Sequence, residues 1–124
     1  MAKEDMKIIE ASEKISRKQL KEGAGKTFGN LVKAVVDIEK EIMAIDAELH
    51  SDEEALLLEN GSKQENLWGI NIYPELEGND FIEFDSMINL RPSHGNKSRG
   101  VDNQEIRRKI TAVVAKLLNN DLSA

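Results

Sequence analysis

Ten consecutive residues carry most of the chain's binding chemistry. Positions 91–100 read RPSHGNKSRG, in which Arg91, Lys97 and Arg99 supply positive charge, Ser93 a hydroxyl, His94 an imidazole and Asn96 an amide. A helix is expected to begin at Asp102, directly after them. Cations next to the amides of a helix N-terminus stabilise a phosphate or carboxylate, so anion binding is the first chemistry to consider. A plain polar loop is the competing reading and the commoner one, and Asp102 at the cap would repel an anion.

Two other groups are chemically suggestive. Glu83 and Asp85 stand two apart in an expected strand, so their carboxylates project from one face, roughly 6–7 Å apart. With Asn71, Tyr73, Asn89 and Arg91 they could hold a divalent cation or move a proton, although the wet face of a sheet looks the same. His50, followed by Asp52, Glu53 and Glu54, has metal-ligand residue types. A lone histidine beside carboxylates after a helix is ordinarily solvated, so no metal and no cofactor are expected. His94 is the better acid–base candidate, but nothing in the spacing supports a Ser–His–Asp arrangement. GAGKT at 23–27 lacks the earlier glycine of a phosphate loop, because Leu20 holds that place, and a capped helix precedes it.

Charge is distributed unevenly. From Arg91 to Lys109 six basic residues face only Asp102 and Glu105, a net of +4 in a chain of net −6. From Asp37 to Asp85 fifteen acids are offset only by Lys40 and Lys63, a net of −13. Such two-ended charge suits a charged protein partner, an anionic small molecule, or head-to-tail homo-oligomers. Nucleic acid is possible but not favoured in so acidic a chain. With 124 residues, 40% of them hydrophobic, a single domain over 1–124 is expected. The chain has no cysteine, which excludes disulfides and thiolate chemistry. No apolar run suits a membrane span or signal peptide, so the expected location is cytoplasmic.

Periodicity places the elements that must carry these residues. Residues 6–11 suggest an edge strand. Ser16 and Gln19 form a capping box for a helix ending near Thr27. Leu31, Val35, Ile38, Ile42, Ile45 and Leu49 recur at spacings of four and three, which predicts a long core helix. Residues 56–58, 67–73 and 81–90 read as three strands, with Asn60-Gly61 as a hairpin turn between the first two. Ile106, Ile110, Val113 and Leu117 mark a last helix, capped by Asp102 and stopped at Asn119-Asn120. The order β-α-α-β-β-β-α predicts an α+β fold: helices on a small antiparallel sheet, a three-stranded meander plus a possible N-terminal edge strand.

The segments LVKAVVDIEKEIMA (31–44), ELHSDEEALLLENGSKQENLWGINIYP (48–74) and FIEFDSMINLRPSHGN (81–96) resemble a small prokaryotic family defined as a domain of unknown function. GSKQENLWGINIYP is the most specific of these matches. The resemblance implies no activity, cofactor or site. The expected element order is also similar to that of small ribosome-dependent ribonuclease toxins, a likeness of fold alone, and those proteins are typically basic. The expectation from sequence is therefore a small binding or interaction protein acting through Arg91, Ser93, His94, Asn96, Lys97 and Arg99. The alternatives are a toxin-like or metal-assisted nuclease using Arg91, His94, Arg99 and Glu83/Asp85, and a structural homo-oligomer.

Overall fold

A computed structural model describes residues 6–119. Five antiparallel strands form the central sheet in the order β1 (Lys7–Ile9), β4 (Ile42–Ile45), β3 (Val32–Asp37), β5 (Leu67–Ile72) and β6 (Ile82–Glu83). A separate parallel pair joins β2 (Ile15–Ser16) to β7 (Leu118–Asn119). Three helices cover the sheet: α1 (Arg17–Lys26) and α3 (Gln104–Leu117) on one face, α2 (His50–Glu59) on the other. The α+β class read from sequence holds, but the order of elements differs from the expected one.

The long helix expected over 31–49 is instead the hairpin β3–β4. Val32, Ala34, Val36, Met43 and Ile45 pack with α1 and α3, while Val35 and Ala44 pack with Leu57 of α2. Both sheet faces are covered, so apolar residues stand at consecutive positions and no period of two is visible. Asp37, 1% exposed, builds the turn. Its Oδ1 accepts the amides of Glu39 and Lys40 at 2.9 Å each, its carbonyl accepts Glu41 N–H at 2.9 Å, and Glu41 turns the chain at φ 58°. The Ser62 hydroxyl donates to Oδ2 at 2.6 Å and ties this turn to the end of α2.

The strand expected at 56–58 lies inside α2, and Asn60-Gly61 is that helix's C-terminus, not a hairpin turn. Ser62 N–H donates to Leu57 O at 3.0 Å and Gly61 N–H to Leu58 O at 3.1 Å, with Gly61 at φ 95°. These two bonds define a Schellman stop, which needs glycine for the left-handed residue. The capping box of Ser16 and Gln19 is present, and α1 runs through the GAGK residues to a C-cap at Thr27. Asn103, not Asp102, caps α3, accepting the amides of Glu105 at 2.8 Å and Ile106 at 3.1 Å. That helix ends at Leu117 and Asn119 pairs in β7, while Asn120 lies outside the described residues.

The strand expected over 81–90 shrinks to β6, which covers only Asn71 and Ile72 of β5. Side chains complete the rest of that edge. Asn89 Oδ1 accepts Gly69 N–H at 2.8 Å, and its Nδ2 donates to Gly69 O at 2.9 Å and Arg99 O at 2.9 Å. Residue 69 must be glycine, since a Cβ there would stand 2.6 Å from the Ser86 Cβ. Asn89 is fully buried, so replacing it with Ala strands a buried N–H and C=O with no solvent to take them. Asn89→Ala is expected to cost about 3 kcal/mol, read as a lower urea midpoint at unchanged slope; a loss under about 1 kcal/mol would contradict this role.

Candidate functional site

The loop at 91–102 is a knit structure whose polar groups mostly serve one another. Arg91 turns inward: Nε donates to Ile88 O at 3.2 Å, Nη1 to Gln64 O at 2.8 Å, and Nη2 to Leu67 O at the open edge of β5. Its guanidinium lies 4.4 Å over the Trp68 ring, and burial draws its pKa down from the usual arginine value. Asn96, 4% exposed, pairs with Arg91 through both backbone groups, and its Nδ2 reaches Asn89 O at 2.7 Å and Gly100 O at 2.8 Å. Its Oδ1 accepts Asp102 N–H at 2.8 Å.

Asp102 takes the place expected for a ligand. Its carboxylate accepts the Ser98 hydroxyl at 2.6 Å and the Lys97 amide at 2.8 Å. The Ser98 bond first, and the Lys97 amide second, hold it below its ordinary pKa. The loop thus carries its own anion. Nor do its cations converge: Arg91 faces the sheet edge, Arg99 pairs with Asp85 at 2.8 Å, and Lys97 is exposed. Ser93 and His94 lie exposed on the short turn Pro92–His94. Further along, Arg107 covers the Phe84 ring at 4.8 Å and Arg108 pairs with Glu105 at 2.8 Å. Of the six basic residues in the +4 stretch, Arg91 is turned inward, Arg107 lies on a ring, Arg99 and Arg108 are paired, and Lys97 and Lys109 stand exposed.

Two concave regions flank this loop. The larger, a cleft of about 690 Å³, is lined by Glu65, Trp68, Arg91, His94, Gly95, Asn96, Asp102, Asn103 and Ile106. Trp68 is buried, and its indole N–H has no acceptor among the described residues. The smaller, about 270 Å³, lies on the α2 face and is lined by Lys33, His50, Ser51, Asn71, Asp85 and Arg99. Asn71 Nδ2 donates to Glu83 Oε1 at 2.9 Å, which also accepts the Tyr73 hydroxyl at 3.0 Å. Asn71 Oδ1 is buried without a donor, a position that costs about 1–3 kcal/mol when left empty. Tyr73 is pushed above the usual phenol pKa, by desolvation first and the Glu83 hydrogen bond second.

His50 is buried under the sheet, not solvated, and its Nε2 donates to Ile70 O at 2.7 Å, leaving Nδ1 unprotonated. Glu53 is buried as well: Oε2 accepts Ala47 N–H at 3.0 Å, Oε1 has no partner, and burial raises its pKa well above the usual carboxylate range. Among the described residues no cluster of three or more His, Asp or Glu side chains could hold a metal ion. Lys33 was hidden by the expected helix. Read as a strand, its register sets it directly opposite Asn71, which would have revealed it.

The described residues thus form an α+β protein with two ligand-sized recesses on opposite sides of an antiparallel sheet. The chain belongs to the family described as "Protein of unknown function (DUF5674)", whose model matches residues 7–117. No curated protein and no solved structure matches it. No described helix is long and apolar enough to cross a membrane.

Burial lowers the His50 pKa from 6.5 to about 4. A depressed folded-state pKa means the unfolded chain takes up the proton first. The stability His50 contributes is therefore complete above pH 6.5 and lost as pH falls from 6.5 to 4. At about 1.4 kcal/mol per unit the loss comes to about 3 kcal/mol. His50→Gln, which keeps a donor for Ile70 O, is expected to lose less stability than wild type between neutral pH and pH 4 in urea titrations. Parallel pH profiles for the two proteins would contradict the assignment.

Proposed function

We propose that this chain is a small binding protein that takes an oxygen-bearing, partly apolar small molecule in the cleft beside the loop. The reading is supported above all by the buried, acceptor-less indole N–H of Trp68 in a recess of about 690 Å³. Binding pockets of this size combine an apolar lining with a few directed polar groups. Here Ile106 and the indole supply the apolar surface, His94 and Arg91 line the same cleft, and the buried Trp68 N–H is the donor that a ligand oxygen would answer. Asp102, held by Ser98 and Lys97, is already satisfied and competes little for the same donors. Arg91, Asn96 and Asp102 shape the wall, while Ser93, Lys97 and Arg99 lie outside the cleft lining. The geometry lends little to a nuclease, since Arg91, His94 and Arg99 would have to share one phosphate and are drawn to three places.

Trp68 is the single tryptophan, so its emission and its one indole N–H resonance report directly on this cleft. Titration with aromatic carboxylates, indole-3-acetate and benzoate, is expected to move both saturably. Trp68→Phe keeps the ring but loses the donor, and should weaken binding about tenfold as read from the Gly95 and Asn103 amides. If neither carboxylate moves the indole resonance at millimolar concentration, the proposal fails.

A further inference from the structure

The smaller recess has a composition of its own. Lys33, Arg99 and Ser51 in its lining carry donor groups, the Lys33 ammonium standing 5.1 Å over the Phe28 ring, and His50 and Ser51 bring the start of α2 to it. Leu49 occupies the N-cap and offers no side-chain oxygen, so the start of this ten-residue helix lacks a side-chain cap. A negative group placed there would meet the helix dipole and the Lys33 ammonium, with Arg99 already paired to Asp85 and with Asp52 and Glu53 in the same first turn.

A second feature asks for the opposite polarity. Asn71 is 7% exposed and lines the recess, yet its Oδ1 has no donor. The amide cannot simply be turned over. Its Nδ2 already faces two acceptors, Glu83 Oε1 at 2.9 Å and Asp85 O at 3.4 Å, and a flip would set oxygen against oxygen at both. Asp85 adds a carboxylate beside it, one oxygen of which is bound to Arg99. A lone anion would answer the donors and leave Asn71 Oδ1 as it is. A lone cation would answer Asn71 and meet Lys33 and Arg99.

Because Lys33 and Asn71 are cross-strand partners, the two demands lie side by side. They are met together by a molecule whose anionic group and hydrogen-bond donor sit on neighbouring atoms. The volume, about 270 Å³, suits a body of a few carbons. We propose that this recess is a second binding site, for small carboxylates bearing a donor on the α carbon, the class of α-amino and α-hydroxy acids. The carboxylate lies between Lys33, Ser51 and the α2 amides, and the α substituent donates to Asn71 Oδ1. This site lies across the sheet from the Trp68 cleft and does not depend on it.

Alanine, lactate and propionate test the idea because they differ only in the α substituent: ammonium, hydroxyl or hydrogen. In NMR titrations of the full chain, alanine or lactate should shift the Ser51 amide and the Asn71 side-chain NH₂ saturably, with the Trp68 indole resonance unmoved. Propionate should bind at least tenfold more weakly than the better of the two. A preference for alanine identifies the amino-acid class and a preference for lactate the hydroxy-acid class. Lys33→Met, at a half-buried strand position, should weaken every arm by tenfold or more while circular dichroism stays unchanged. The proposal is overturned if none of the three shifts these resonances, if propionate binds as well as the others, or if Lys33→Met leaves the affinities unchanged.

Discussion

The exposed edge of β5 is the constraint on which the rest of this structure depends. Strand β6 pairs with only two of its six residues, Asn71 and Ile72. An edge of this kind would ordinarily recruit another strand. Here two side chains close it, the Asn89 amide at Gly69 and the Arg91 guanidinium at Leu67. Those residues can reach the edge only because the chain leaves the sheet after Glu83 and turns at Met87–Asn89. Asn96 then holds Asn89 from behind, and Asp102 holds Lys97 and Ser98. What reads in sequence as a loose basic loop is the seal on a sheet edge.

This seal also divides the surface. Because Arg91 goes to the edge and Arg99 to Asp85, one charged loop contributes walls to two recesses on opposite sheet faces. Each recess is lined by a residue with a buried polar atom that has no partner among the described residues, a donor on Trp68 in one and an acceptor on Asn71 in the other. Buried polar groups are nearly always paired in native proteins, so such atoms are physical reasons to look for ligands. Net charge is the weaker guide, because Arg99 and Arg108 are paired with Asp85 and Glu105 while Arg91 and Arg107 lie against the Trp68 and Phe84 rings.

Local signals in the sequence were reliable where the chain itself enforces them. The Ser16–Gln19 box and the apolar stripe at Ile106–Leu117 mark helices because each is complete within one or two turns. The stripe from Leu31 to Leu49 misled for a physical reason: covered on both faces, β3 and β4 are apolar at successive positions, and a dense apolar run fits a helical spacing by chance. Asn60-Gly61 suits a hairpin and a helix stop alike, and α2 decides which. Of the six-residue polar face expected from alternation, Asn71, Tyr73 and Glu83 are joined by hydrogen bonds, whereas Asp85 lies beyond β6 and Asn89 and Arg91 turn to the edge of β5. The inward turn of Arg91 was not legible, since it depends on a missing strand partner. Nor was Lys33, since it depends on a register.

The central claim, that the segment is a sealed part of the fold, is most directly tested by amide hydrogen exchange on the intact chain. The Gly69, Arg91, Asn96 and Asp102 N–H groups each bond within the seal. They are expected to exchange as slowly as the β3 and β5 amides, through global unfolding alone. If Arg91, Asn96 and Asp102 exchange completely while the β3 amides remain protected, the loop opens independently and the seal is not what holds this sheet.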